Sequence, residues 1–317
     1  MHALLFCTIN DFPGYGNLSN YSVKGHSDCP ICEENTTYHQ LKHGRKISYI
    51  GHRRFLKRNH PYRRLKKAFN GSHEEKNAPP PLTGEEVYNR VCNVNVTFGK
   101  TQKKNIVKNI WKKKSIFFEL PYWSKLDVRH CKDVTHVEKN VCDCIIGTLL
   151  NIKGKAKDGI NARKDLVEMG VHLELQPQHH GKRTYLPPLC HTLSKFETLS
   201  FCGCMRGVKV QQGYSSNIKS LVSMQDLKLM GLKSHDCHVL MLDLLLVAIC
   251  GILPKNVRHV IYPCIFFNAI CRKVIDPNSL DGLENEAIII LCQLEMYFAP
   301  SFFDIMVHLI VHLLSDA

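Results

Sequence analysis

The chain has 317 residues, 44% of them hydrophobic and 9% aromatic, which is typical of a folded protein and excludes a disordered tail. Its 42 lysine and arginine residues outnumber 28 aspartate and glutamate residues, and the resulting formal charge of +14 favours a polyanionic partner such as nucleic acid. The chain has 15 cysteines and no signal-peptide pattern, which predicts a reduced, intracellular protein. Its longest apolar run (244–253) is shorter than the roughly 20 residues of a membrane span, which predicts a protein without membrane segments.

The first informative segment covers residues 4–16. Its apolar run 4–9 is rich in branched and aromatic side chains, which predicts a buried strand, and Asp11 follows where the run ends before Pro13. A carboxylate held at a strand end next to a glycine-rich turn can bind a hard divalent cation through oxygen. The alternative is that Asp11 only starts a turn.

A pair of cysteines, Cys29 and Cys32, follows in the sequence Cys-Pro-Ile-Cys. Two thiolates at this spacing can share one tetrahedral zinc ion. His52 and His60 could complete such a site, although their separation matches no standard zinc finger. The alternative is that both cysteines are reduced thiols without a ligand.

Residues 36–72 contain no acidic residue and are crowded with cations interleaved with aromatic side chains. Cations beside aromatic rings suit phosphate contacts combined with stacking on bases or sugars. We therefore predict a DNA-facing surface formed by Arg53, Arg54, Lys57, Arg58, Arg63, Arg64, Lys66 and Lys67. A solvated basic loop or a nuclear-import signal is the alternative, and a second, lysine-rich cluster at 100–114 fits a nonspecific phosphate contact or an import signal as well as a defined site.

Residues 132–150 predict a helix, because Val134, Val137 and Val141 begin an apolar stripe at helical spacing. Asp133 and His136 lie on a neighbouring polar stripe. An aspartate and a histidine three residues apart on one helical face can point together at a metal, a phosphate or a scissile bond. The alternative is that Asp133 caps the helix and His136 lies at a packing interface.

Residues 213–317 fit four helices, at about 221–253, about 256–274, after Asp276-Pro277, and at 301–314. The last of them carries Asp304, His308 and His312 at intervals of four residues on one face. These three side chains could chelate a metal, but a histidine stripe in so apolar a helix is more often part of an interface.

The chain strongly resembles the transposase encoded by plant CACTA (En/Spm) DNA transposons in six blocks that follow that family's order: LLFCTINDFPGYGNLSNYSVKGHSDCPIC, YIGHRRFLKRNHPYRRLKKAFNG, WKKKSIFFELPYW, DVTHVEKNVCDCIIGTLLNIKGK, TYLPPLC and GYSSNI. From about residue 231, further blocks resemble the domain of unassigned function that follows the catalytic part in the same polyproteins: GLKSHDCHVLM, GILPKNVR, FFNAICRKVIDP and LCQLEMYFAPSFFDIMVHLIVHL.

The resemblance implies a cut-and-paste enzyme with an RNase H-like core, in which carboxylates hold Mg²⁺ or Mn²⁺ for hydrolysis and strand transfer at transposon ends. In that family pattern Asp11 matches the acid that ends the fourth core strand, and Asp133 with His136 matches a D-x-x-H signature. The glutamate of the final core helix has three candidates, Glu284, Glu286 and Glu295, of which we assign Glu295.

The resemblance also places Cys29 and Cys32, together with His235 and His238 of the sequence SHDCH, in a zinc-binding insertion of the kind seen in related transposases. The expected fold is therefore α+β and predominantly α. It comprises a partial RNase H-like domain over 1–212, a basic zinc-type insertion at about 33–118, and an all-α domain over 213–317.

In the family pattern the first catalytic acid lies on the first core strand, whereas this chain begins at what resembles the fourth. We therefore expect a nuclear transposase fragment that is inactive by itself and binds DNA at transposon terminal sequences. Other transposon-encoded proteins or further copies of the chain are the remaining expected partners. The alternative is a noncatalytic DNA-binding or protein-interaction module derived from a transposase.

Overall fold

A computed structural model describes residues 4–94, 109–209, 216–261 and 264–314, and the side chains of 264 and 265 are not described. The described chain is mostly helical, with short strands paired in twos. The prediction of an α+β fold that is predominantly α is confirmed, whereas the RNase H-like core and the zinc-type insertion stay predictions. Most of the lysine-rich cluster at 100–114, namely residues 100–108, lies outside the described residues.

The α-helices of the described chain are Phe12–Ser19 (α1), Gly84–Val91 (α2), Val134–Leu149 (α3), Ile160–Glu168 (α4), Lys195–Gly207 (α5), Ile218–Leu221 (α6), Ser234–Val239 (α7), Leu245–Ile249 (α8), Lys255–Val260 (α9), Cys264–Ile270 (α10), Leu280–Tyr297 (α11) and Ile305–Leu309 (α12). A π-helical turn, Leu240–Leu244, joins α7 to α8, and a 3₁₀ turn, Ile310–His312, follows α12. Within the described residues, none of these helices is long and apolar enough to cross a membrane.

The strands are Thr8–Asn10 (β1), His39–Leu41 (β2), Lys46–Ser48 (β3), His130–Lys132 (β4), Gln178–His180 (β5), Arg183–Tyr185 (β6), Val222–Ser223 (β7) and Lys228–Leu229 (β8). Three pairs are antiparallel hairpins between neighbours in the chain, β2 with β3, β5 with β6 and β7 with β8. The fourth pair, β1 with β4, is parallel and joins segments more than a hundred residues apart.

The chain divides into two compact units that each combine separate segments. Unit 1 comprises residues 1–37, 78–133 and 312–317, and unit 2 comprises residues 38–77 and 134–311. This division does not coincide with the predicted boundary at 212/213, because both ends of the chain and its middle contribute to unit 1. Whether 213–317 forms a domain of its own therefore stays a prediction.

In unit 1 the opening apolar run does not form the buried strand that the sequence predicts. The strand begins only at Thr8, and the side chains of Leu4, Phe6 and Ile9 are 63–71% exposed. β1 pairs with β4 alone in this two-stranded sheet, so hydrophobic composition was not enough to bury it. Branched residues favour extended backbone, but burial also needs a layer packed on each face.

The core of unit 1 is aromatic. Tyr21 and Trp111 meet edge to face with ring centroids 5.0 Å apart, and they also form an isolated antiparallel bridge. Val87 and Val91 of α2 pack into the same cluster. A capping box starts α2, since Thr83 accepts from the backbone of Glu86 and the Glu86 carboxylate accepts from the backbone of Thr83.

Unit 2 contains the longer helices, and local sequence signals set several of their ends. α4 ends next to Gly170, which has a φ of +68°, and a capping box of Ser194 with Glu197 starts α5. The predicted long helix over 221–253 is wrong in its first part, because the β7–β8 hairpin occupies 222–229. Leu227 has a φ of +49° in its turn, a conformation that ends helical structure.

Candidate functional site

The two predicted catalytic aspartates of unit 1 lie at neighbouring strand ends. β1 and β4 run parallel in the register Thr8 with His130 and Asn10 with Lys132. The backbone N–H of Asp133 then donates to the carbonyl of Asn10 at 2.8 Å. Because the pairing continues to this point, Asp11 and Asp133 leave the sheet side by side at its carboxyl edge.

Asp11 also has a local structural role. It is the N-cap of α1, and its Oδ1 accepts from the backbone N–H of Gly14 at 2.7 Å. A Cβ on residue 14 would lie 2.8 Å from this oxygen, so glycine permits the close approach. Asp11 is exposed. A carboxylate has a second oxygen, so capping α1 and binding a solvent-side cation are compatible roles for the same side chain.

Asp133 and His136 flank the start of α3. Asp133 is half-buried and directly precedes the helix, while His136 is half-buried in its first turn, where its carbonyl accepts from Asn140 Nδ2 at 2.8 Å. The predicted helix is therefore confirmed, and the spacing of three residues sets Asp133 and His136 on one side of its first turn.

Glu295, the predicted third acid, is committed to internal contacts in unit 2. Its Oε1 accepts from the backbone N–H of Gly51 at 2.7 Å, from the backbone N–H of His52 at 2.9 Å and lies 2.5 Å from His52 Nδ1. The side chain is 8% exposed. This carboxylate anchors the turn that starts at Gly51 to helix α11.

His130, at the start of β4, has a strongly perturbed pKa. Burial lowers the pKa of His130 to about 4, and the neighbouring Arg129 guanidinium adds to the effect. Its Nδ1 lies 2.7 Å from Thr8 Oγ1 across the parallel pair. At neutral pH the imidazole is therefore uncharged, and it helps to fix the register of β1 on β4.

The two cysteines at 29 and 32 form a knuckle in unit 1. Both are buried, and the backbone N–H of Cys32 donates to Cys29 Sγ at 3.4 Å. His312 approaches this pair, with its Nε2 3.2 Å from Cys32 Sγ, and the ligand atoms of the three residues lie within 4.8 Å of one another. Two thiols and an imidazole at this separation are ligands that zinc prefers.

His308 precedes His312 by four residues, which is one helical turn, and it is also buried. Cys29, Cys32 and His312, all of unit 1, thus form a buried donor set, which we call the Cys₂His set, that could hold a metal ion and is compatible with zinc. The Cys-x₂-Cys spacing falls in the range of known structural zinc sites. The His-x₃-His spacing was visible in the sequence, but nothing local indicated that His312 belongs with cysteines 280 residues away.

The histidines predicted to join the cysteines have other partners in unit 2. His238 Nδ1 lies 2.8 Å from Glu138 Oε2, and His235 is exposed on the same short helix, α7. His52 is held by Glu295, and His60 Nδ1 accepts from the backbone N–H of Tyr62. Within unit 1, His312 is the imidazole that lies against Cys32, and the joining of His235 and His238 to the two cysteines stays a prediction.

Three of the eight predicted DNA-binding residues, Arg53, Arg54 and Arg63, are buried, with 2%, 8% and 3% of their surface exposed. The Arg53 guanidinium donates to the carbonyls of Leu65 and Ser72, at 2.6 and 3.2 Å, and the Arg63 guanidinium donates to the carbonyls of residues 54, 56 and 76. Arg54 donates to the carbonyl of Asn77 at 2.9 Å. These side chains hold together the loop 53–77 and do not face solvent.

The other five predicted residues are exposed and form what we call the basic surface: Lys57, Arg58, Arg64, Lys66 and Lys67. They project from the loop that the buried arginines organise. A phosphate backbone can reach these five cations directly, so the DNA-binding prediction now depends on them.

Comparison with protein families gives two matches. Residues 1–94 match the model described as transposase family tnp2, and residues 270–317 match a domain of unknown function, DUF4218. Neither the curated proteins nor the solved structures compared with the chain gave a significant match. The two family matches fit a transposase-derived protein, and a transposase family is consistent with DNA binding.

Proposed function

We propose that this chain derives from a transposase of the plant CACTA (En/Spm) type, and that Asp11 and Asp133 are metal ligands for DNA strand cleavage and transfer at transposon ends in the intact protein. The observation that supports this most directly is the parallel pairing of β1 with β4. It sets two acidic residues that are more than a hundred positions apart in sequence next to each other along the backbone at the carboxyl edge of a sheet.

The donor chemistry fits Mg²⁺ or Mn²⁺, because both ions prefer carboxylate oxygen ligands. Bound at this edge, such an ion would polarise a phosphoryl oxygen and lower the pKa of an attacking water or 3′-hydroxyl. Asp11 is already immobilised as the cap of α1, and Asp133 is fixed by the backbone bond to Asn10. His136, in the first turn of α3, would contact the substrate or position a ligand on the Asp133 side.

The rest of the proposal concerns DNA binding and architecture. The basic surface contacts phosphates, and the net charge of +14 adds long-range attraction. Zinc held by Cys29, Cys32 and His312 has a structural role, in the manner of a zinc-type insertion in an RNase H-like protein. Such a protein would act in the nucleus.

A second candidate function is a noncatalytic DNA-binding module of transposase origin. It is favoured by the position of Glu295, whose carboxylate oxygen is used by Gly51 and His52. A strand-transfer site in this family pattern needs a further acid beside the two aspartates. If Glu295 does not supply it, the chain would keep the basic surface and the zinc site but not the chemistry.

Iron-directed cleavage of the polypeptide tests the metal site. Fe²⁺ bound in place of Mg²⁺ generates hydroxyl radicals with ascorbate, and these cut the backbone next to the ion. We expect cuts close to residues 11 and 133 in the same molecule, with both sets lost together in Asp11→Asn and in Asp133→Asn. Asparagine keeps the cap of α1, so the first variant should remain folded.

The matched control is Asp127→Asn, an exposed aspartate of unit 1. It should leave the cleavage pattern unchanged. Cuts that persist in both site variants, or no cuts near either residue, would refute a shared metal site. Salt-dependent DNA binding without any such cuts would favour the noncatalytic candidate.

A further inference from the structure

Three potential metal ligands converge in unit 2, and one of them is His238, which the sequence analysis expected to join Cys29 and Cys32. Glu138 lies on α3, His238 lies on α7, and Cys271 directly follows α10. A carboxylate oxygen, an imidazole nitrogen and the thiol sulfur of these residues lie within 4.8 Å of one another. α3 and α7 pack directly against each other, so the backbone positions of Glu138 and His238 are fixed relative to one another.

Glu138 is the unusual member of this group. Its side chain is 1% exposed, and Oε2 contacts His238 Nδ1 at 2.8 Å. Its other oxygen, Oε1, is buried and lacks a hydrogen-bond partner among the described residues. An unpartnered carboxylate oxygen inside a protein is costly, because burial removes its hydration and nothing replaces it.

The same burial has an electrostatic consequence. It raises the pKa of Glu138, and the hydrogen bond and charge of His238 offset this only in part. A divalent cation next to Oε1 would remove the penalty, since it would neutralise the carboxylate and supply the missing partner.

Access to the group comes from the side of Cys271. This residue is exposed, and the side chain of His238 is 29% exposed, whereas Glu138 closes the site from inside. An ion can therefore enter from solvent, and a water molecule can occupy a fourth position. Three protein ligands with one open position is an arrangement that zinc sites use.

We propose that Glu138, His238 and Cys271 form a metal site for a zinc-like divalent transition ion, separate in its ligands from Cys29, Cys32 and His312. Carboxylate, imidazole and thiolate together select such an ion over Mg²⁺ and Ca²⁺, which favour oxygen ligands alone. On binding, the Cys271 thiol releases its proton to solvent. The charges of one carboxylate and one thiolate then balance the divalent ion.

Binding at this site would link α3, α7 and the end of α10. The ion would cross-link α3 to two segments that follow it by 100 residues or more, and the stability of unit 2 would rise with the logarithm of the ion concentration once that exceeds the dissociation constant. The site does not depend on the transposase proposal, because Glu138, His238 and Cys271 have no role in the proposed catalysis or DNA binding.

The test uses the full chain and the metal alone. Zinc content per chain is measured after equilibration and desalting, and Co²⁺ is titrated while absorbance is followed. Thiolate ligation of Co²⁺ gives an intense charge-transfer band in the near ultraviolet. Cys271→Ser should lower the zinc content by about one ion per chain and remove the share of this band that belongs to Cys271.

Cys204→Ser is the matched control, because Cys204 is another exposed cysteine of unit 2. It should change neither the zinc content nor the cobalt spectrum. Glu138→Gln should weaken cobalt binding while the Cys271 thiol remains, and circular dichroism checks that this buried variant is folded. Zinc content and cobalt spectra in Cys271→Ser identical to those of the control would overturn the proposal.

Discussion

Replacing Arg53 by lysine separates a structural role of the loop arginines from a DNA-binding one. The guanidinium of Arg53 donates to the carbonyls of Leu65 and Ser72 and to Asn70 Oδ1, the last at 2.9 Å, and it lies 4.2 Å from the centre of the Phe69 ring. Lysine keeps the positive charge but has one nitrogen in place of the planar fork.

The size of the effect follows from the acceptors that lysine cannot reach. An ammonium placed to contact Leu65 leaves Ser72 and Asn70 without their donor. A hydrogen bond to a charged group contributes roughly 1.5 kcal/mol or more, so two lost bonds amount to about 3 kcal/mol. We expect Arg53→Lys to lower the free energy of unfolding of unit 2 by about this amount and to speed amide exchange across residues 53–77.

The control is Arg64→Lys, at an exposed position of the same loop, which should change stability by less than about 0.5 kcal/mol. Urea denaturation and hydrogen exchange by mass spectrometry measure both variants. If Arg53→Lys were as stable as Arg64→Lys and protected equally across the loop, the guanidinium would not be what holds residues 53–77 together. Because both substitutions conserve charge, a change in stability cannot be attributed to electrostatics of the basic surface.

Three further predictions concern the acid at 295, a buried histidine and the basic surface. Glu295→Gln should lower the free energy of unfolding by about 1–2 kcal/mol, since a neutral amide accepts more weakly from Gly51 and His52; an unchanged thermal midpoint would contradict the anchoring role. Burial lowers the pKa of His191 to about 4. The unfolded chain therefore binds a proton at this histidine more readily than the folded chain does. The free energy of unfolding should fall by up to about 3 kcal/mol as the pH drops from about 6.5 to 4. In a series of denaturation curves over this pH range, the free energy of unfolding of His191→Gln should depend less on pH. Replacing Lys66 and Lys67 by alanine should reduce the slope of log affinity for duplex DNA against log salt by about 2, as measured by fluorescence anisotropy, and an unchanged slope would remove both lysines from the interface.

Short-range signals in the sequence were reliable predictors of local structure. The helix predicted after Asp133 formed, and the capping boxes at Thr83 and Ser194 and the end of α4 next to Gly170 follow residue patterns that are visible in the sequence. Each depends on hydrogen bonds between residues at most four apart, and such bonds are decided by residue types that lie together in the sequence.

Predictions that depended on which segments are neighbours in space were less reliable. The run at 4–9 has the composition of a buried strand, but its exposure depends on which segments cover it. The arginine-rich loop has the composition of a DNA-binding surface, but the fold turned Arg53 and Arg63 inward, where backbone carbonyls accept from them. Composition does not distinguish a guanidinium that binds phosphate from one that binds carbonyl groups.

The sequence by itself determined the chemistry that is present: the cation excess, the Cys-x₂-Cys and His-x₃-His pairs, and the acids that follow β1 and β4. Only the tertiary structure decided which of these groups meet. It set Asp133 beside Asp11 through the parallel pairing and put His312 against Cys32. The physical reason is that side-chain chemistry is a local property of the chain, whereas proximity across hundreds of residues depends on the path of the backbone and on the burial that it achieves.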